Sequence, residues 1–213
     1  MLASRVGFQF QFRLETHLSA RTIAAVAALV GWAGLVLQLM LIVGNLGLEL
    51  GAWRFVGFFT ILTNIGAAVV ATAVALGSRG ALAGARARLM AMTSIALVGI
   101  VYSLALRALW SPTGLQKLAD IALHDAAPLL FVAVWALSPH PGLPWREVGW
   151  ALLPPGAYLA YALARGAIDG WYAYWFLNPA EQSSAELSAS VAVVVAGFAA
   201  MAAASKAVAA SRS

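Results

Sequence analysis

The chain has no cysteine among its 213 residues. That excludes disulfides, a thiolate nucleophile and thiolate metal sites, and leaves the compartment open on redox grounds. Charge is scarce too: Asp, Glu, Lys and Arg make up 10% of the residues, against about 25% in an ordinary soluble domain. No glycine-rich phosphate loop and no GxSxG elbow is present. No His/Asp/Glu set has zinc-ligand spacing, and paired axial ligands for a haem are missing, because His124 stands alone in an apolar stretch while His17 and His140 sit in polar flanks. No metal or other cofactor is expected. The net charge of +5 comes without a basic run interleaved with aromatics, so no nucleic-acid partner is expected either. What the chain has in abundance is apolar residues, at 62%, with a mean hydropathy of +0.86.

A helix needs roughly 20 apolar residues to cross about 30 Å of hydrocarbon. Six stretches qualify as candidates, at about 22–44, 55–77, 89–109, 120–137, 148–164 and 186–205. The fourth and fifth are short and carry polar residues or proline. The first is longer than a signal-peptide core and is preceded by 21 residues, so it reads as an anchor. The expected fold is an all-α integral membrane protein of six transmembrane helices. Residues 1–21 form a cytoplasmic or interfacial segment, 22–205 a single membrane domain and 206–213 a cytoplasmic tail.

Lys and Arg set the orientation. With both termini inside, the inner side holds Arg5, Arg13, Arg21, Arg79, Arg86, Arg88, Arg146, Lys206 and Arg212, and the outer side Arg54, Arg107, Lys117 and Arg165. Nine against four favours N-in, C-in. Heavy use of Ala and Arg suits a GC-rich bacterial genome, which makes the bacterial cytoplasmic membrane the expected location. The longest connection, about 165–185, lies outside, and its Trp171, Tyr172, Tyr174 and Trp175 suit the headgroup layer.

Polar residues at membrane depth are costly and face a bundle interior or a cavity. Thr60 lies roughly 7–8 Å below the outer start of the second stretch, with Thr63 a turn deeper, and His124 lies about 6 Å below the start of the fourth. Asn64 and Arg107 share that depth band. Asp120 and His124, four apart, share a helix face, so a carboxylate can hold one ring nitrogen and leave the other as a base. Asp125 points about 100° away and is placed to pair with Arg107. Pro128 cannot donate to the His124 carbonyl and should kink the helix there. Each residue also has a packing role open to it: Thr bonding its own i−4 carbonyl, Asn64 linking helices, the carboxylates solvated at the interface. A hydroxyl and an imidazole in one apolar cavity are the minimum for acyl transfer.

The segments "RFVGFFTILTN", "LHDAAPLLF" and "WREVGWALLPPGAYLAYALARGAIDGWYAYWFLNP" resemble the Pr6Pr family of bacterial six-span membrane proteins. That family is itself similar to the eukaryotic androgen-induced-gene and androgen-dependent TFPI-regulating proteins. The resemblance runs over about 53–180. It implies an intramembrane threonine hydrolase, a carboxylic ester hydrolase cleaving lipid esters such as fatty acid esters of hydroxy fatty acids. By position it implies His124 as base and Thr60 as nucleophile, with Thr63 the alternative. Asp120 would orient His124 and Asn64 would donate to the oxyanion. Arg107 or Arg165 would hold a fatty carboxylate, with Trp171 and Tyr174 beside the substrate. Expected partners are membrane lipids and a lipid-ester or fatty-acid substrate. The competing reading is a membrane protein that binds a lipid or carries a small amphiphile without catalysis; a purely structural partner of another membrane protein is the third.

Overall fold

The computed structural model describes residues 2–139 and 143–210, with the side chains of 2–18 and 208–210 excepted. It is all-helical, with 83% of residues in helices and no strand among those described. In chain order come α1 (Leu2–Leu46), α2 (Leu48–Phe55), α3 (Phe59–Ala75), α4 (Ala85–Val101), α5 (Gly114–Ile121), α6 (Ala127–Leu137), α7 (Arg146–Ala151), α8 (Leu153–Asp169) and α9 (Ser184–Ala210). Two π turns, Tyr102–Leu106 after α4 and Ala122–Ala126 between α5 and α6, complete the frame. Arg212 and His140 lie outside the described residues, as do the side chains of Arg5, Arg13 and His17.

Among the described residues four helices are long and apolar enough to cross a membrane: Ser19–Leu46, Ala85–Leu109, Gly114–Leu137 and Ser184–Ala207. α2 and α3 make a fifth if they count as one span, but they meet at a bend of 75°. Of the expected span at about 55–77, α3 supplies Phe59–Ala75, and the bend falls at its start. α8, the counterpart of the expected span at 148–164, has 17 residues and opens on Leu153-Pro154-Pro155. α1 runs unbroken from Leu2, and its part long and apolar enough to cross is Ser19–Leu46.

Side-chain contacts sort the helix ends into two groups. Arg21 donates to the Ala75 carbonyl at 3.1 Å, Arg86 pairs with Glu147 at 2.6 Å, and Lys206 lies 4.0 Å over the Trp145 ring. At the opposite end Gln116 bonds Gln38 at 2.7 Å and Trp53 bonds Asp169 at 2.6 Å. Successive long segments thus run up and down. α1 and α3 pack closely through small residues, with Ala24, Ala27, Ala28, Ala67 and Ala71 all buried. A Cβ on Gly31 would stand 3.3 Å from that of Ala68. In lipid, hydrocarbon on both sides cancels the hydrophobic drive between helices, so close backbone approach and dispersion must supply the attraction. Phe131, Leu89 and Trp135 fill the core between α1, α4 and α6.

The α2–α3 bend is held by α8. A helix end and the turn after it leave carbonyls outside the helix ladder, and here three side chains on one face of α8 bond one carbonyl of α2 and two of the turn. Tyr158 donates to the Gly57 carbonyl at 2.9 Å, Tyr161 to that of Val56 at 3.2 Å, and Arg165 to that of Trp53. A Cβ on Gly57 would lie 2.6 Å from the Trp171 ring, 2.7 Å from an Arg165 nitrogen and 3.0 Å from the Arg54 carbonyl. Gly57→Ala is therefore expected to destabilise the folded protein by about 1–3 kcal/mol. Gly44→Ala, whose added methyl meets nothing within 4 Å, should be neutral or slightly stabilising. Thermal unfolding in detergent compares the two directly.

Candidate functional site

Thr60 is the second residue of α3, immediately after the bend. His124 sits in the π turn between α5 and α6. Pro128 lacks the N–H that would bond the His124 carbonyl, and the wider π turn takes up the mismatch where a plain kink was expected; such turns recur at functional sites. Gly99 of α4 makes room for it, since a Cβ there would come within 3.2 Å of the His124 carbonyl and 3.1 Å of the Pro128 ring.

Asp120 is buried, 7% exposed, and both its oxygens are engaged. One accepts from the Tyr102 hydroxyl at 2.6 Å, and the other lies 3.1 Å from His124 Nδ1. The Tyr102 and His124 rings stack with centroids 3.9 Å apart and planes 17° apart. With Nδ1 turned to Asp120, Nε2 is the nitrogen left to act as a base. Arg107 pairs with Asp125 and lies 5.0 Å from the centre of the Tyr102 ring. No spacing in the sequence links Tyr102 to Asp120, because they lie on different helices.

Thr60, Tyr102, Asp120, His124 and Tyr174 line one cavity of about 290 Å³. Thr60, Tyr102 and Tyr174 also line a neighbouring cavity of about 90 Å³, whose other walls include Leu97, Val194 and Phe198. Thr60 therefore stands where a polar cavity meets an apolar one. Its backbone N–H points to the Tyr174 hydroxyl oxygen at 3.4 Å. No direct hydrogen bond joins Thr60 to His124.

The remaining expected residues lie elsewhere. The Thr63 hydroxyl donates back to the Phe59 and Thr60 carbonyls, at 2.9 and 3.1 Å, and Thr63 lines a separate cavity. Asn64, 1% exposed, spends its amide donors on the Thr60 carbonyl at 2.8 Å and the Leu123 carbonyl at 3.2 Å. It joins α3 to the turn carrying His124 and has no donor left for an oxyanion. Arg107 is exposed, paired with Asp125. Arg165 is 4% exposed and enclosed by Trp53, Tyr161 and Trp171, its guanidinium 3.9 Å over the Trp53 ring. Trp171 itself stacks edge-on against Phe58 and lies under Arg54. Arg165 and Trp171 thus brace the bend and are turned away from the cavity. Among the described residues no group of three His, Asp or Glu side chains is placed to hold a metal ion.

No known protein family, curated protein or solved structure matches the chain.

The brace ends in an acid-sensitive contact. Asp169 at the close of α8 accepts from the Trp53 indole at 2.6 Å and from the Trp171 amide at 2.9 Å. These two bonds favour the carboxylate and hold its pKa below the ordinary 3.8. A depressed pKa gives stability that is fully present above the unfolded value and is lost as pH falls through the folded one. Thermal stability should accordingly decline below about pH 4, and Asp169→Asn should be less stable at neutral pH with a shallower acid decline. An acid profile identical in the two proteins would remove Asp169 from the brace.

Proposed function

We propose that the protein is an intramembrane hydrolase of lipid esters, with Thr60 as nucleophile and His124 as general base. The observation carrying this reading is that a histidine held by a buried carboxylate opens into the same cavity as Thr60, beside an apolar recess sized for part of an acyl group. A serine or threonine hydroxyl is a poor nucleophile until a neighbouring base takes its proton.

Thr60 Oγ1 attacks the ester carbonyl carbon as His124 Nε2 takes the hydroxyl proton. The C–O bond to the leaving alcohol then breaks, and His124 returns the proton to that oxygen. Water next attacks the acyl-Thr60, again giving its proton to His124, and the fatty acid leaves as Thr60 is restored. Asp120 keeps the imidazole in the required tautomer and stabilises its charged form, the role of the carboxylate in a hydrolase triad. With the Asn64 donors committed, the Tyr174 hydroxyl beside Thr60 is the donor available to the oxyanion. The acyl chain lies against Leu97, Val194 and Phe198. The substrate class is the one implied by the resemblance to six-span threonine hydrolases, in an N-in, C-in bundle in which α8 also crosses.

A second reading, lipid binding without turnover, draws on the absence of a direct Thr60–His124 hydrogen bond. A lipophilic fluorophosphonate separates the two. The purified protein should acquire a covalent phosphonyl label that is lost in Thr60→Ala, reduced by about 10²-fold or more in His124→Ala and retained in Thr63→Ala. Folded wild-type protein that takes no label, or keeps it in Thr60→Ala, contradicts the hydrolase reading.

A further inference from the structure

A larger cavity lies apart from the polar one, between α3, α4 and α8. Its volume is about 950 Å³, and it is walled by Leu62, Gly66 and Val69 of α3, Met90 and Ser94 of α4 and Ala157 of α8. Along α3 it runs from Phe59 to Val70, roughly 16 Å at 1.5 Å per residue. Its outer limit is the Phe59–Tyr158 ring pair, 4.9 Å between centroids, which also walls the small cavity beside Thr60. Its inner limit is the Arg86–Glu147 pair.

Three features tell what this groove holds. It opens sideways: Gly66 and Leu62 are exposed, and a Cβ on Gly66 would meet nothing within 4 Å. Walls this apolar give water too few partners to fill it, so hydrocarbon is the fitting content. Ser94 stands in the groove wall, 3% exposed, and its buried hydroxyl has no hydrogen-bond partner. A buried hydroxyl in that condition is costly and marks a place for an acceptor. At the inner end the Glu147 carboxylate lies 2.6 Å from Arg86 and 3.6 Å from Arg146. Two guanidinium groups against one carboxylate leave a net positive charge at that end of the groove, the charge that attracts an anionic headgroup.

We propose that the groove is a binding site for one anionic glycerophospholipid. Its phosphate lies beside Arg86 and Arg146, an ester carbonyl accepts from Ser94, and an acyl chain runs along α3 to the Phe59–Tyr158 partition. The site does not depend on Thr60 being a nucleophile.

The test is native mass spectrometry of the full chain released from nanodiscs of mixed phosphatidylglycerol and phosphatidylcholine. One phosphatidylglycerol should be retained in preference to phosphatidylcholine. Gly66→Phe fills the groove, and retention should fall about tenfold, in line with the cost of overfilling a packed space. Gly44→Phe, on an open part of α1, and Thr60→Ala should retain the lipid as wild type does. Should Gly66→Phe fail to fold, phosphatidylglycerol carrying a diazirine in its acyl chain gives the same decision on the wild-type chain. Its crosslinks should concentrate on Leu62, Val69 and Met90, above those on the exposed Leu29 and Met40 of α1. Equal retention of both lipids, retention unchanged in Gly66→Phe, or crosslinks spread evenly over α1 and the groove would overturn the proposal.

Discussion

The arrangement depends on one buried carboxylate. Asp120 sits on a helix long and apolar enough to cross a membrane, where an unpartnered charge costs several kcal/mol. The Tyr102 hydroxyl and the His124 ring meet that demand from two directions, and meeting it fixes both. Tyr102 must come to Asp120 from the end of α4, and His124 must lie flat against Tyr102. Both residues lie in π turns, whose extra residue per turn rotates the following side chains relative to an α-helix. Gly99 and Pro128 then let the two helices close on each other. The same contacts that make the carboxylate tolerable leave one imidazole nitrogen free.

Thr60 is placed by an independent device. The chain breaks between α2 and α3, and α8 caps the freed carbonyls with Tyr158, Tyr161 and Arg165. This makes Thr60 the second residue of a new helix, with its N–H not used in the helix ladder. Asn64 then ties the two devices together, bonding the Thr60 carbonyl on one side and the Leu123 carbonyl on the other. Leu123 of the His124 turn also packs with Ile61 and Ala68 of α3, so the two devices share apolar contact as well as that amide.

The all-helical class and several of the long apolar helices were legible in the sequence, because hydropathy and length are local properties. The helices at 22–44, 89–109, 120–137 and 186–205 have counterparts long and apolar enough to cross. The stretch at 55–77 holds α3, but the bend at its start was not legible, because Val56-Gly57-Phe58 is as apolar as a helix interior and the break shows only in packing against Trp171 and Arg165. Asp120 and His124 share a face by simple i,i+4 spacing, which sequence gives. The Tyr102–Asp120 bond joins different helices across a π turn, and no periodicity reports it. Asn64 shares the Thr60 face, as its spacing requires, but which carbonyls it bonds is a tertiary fact. Arg165 carried the expectation of a charged residue near the headgroups; the 170–178 loop folds back over it and turns it into a cap.

The central claim is that Asp120 holds His124 for catalysis at Thr60. Its most direct test is the rate at which the purified protein in nanodiscs hydrolyses a long-chain ester of a hydroxy fatty acid, compared between wild type and Asp120→Asn at matched folding. Asparagine keeps the shape of the side chain but not its charge, so hydrolysis by wild type with a loss of about 10²–10⁴-fold in the variant is the expected result. Equal rates in the two folded proteins, or no hydrolysis by either, would contradict it.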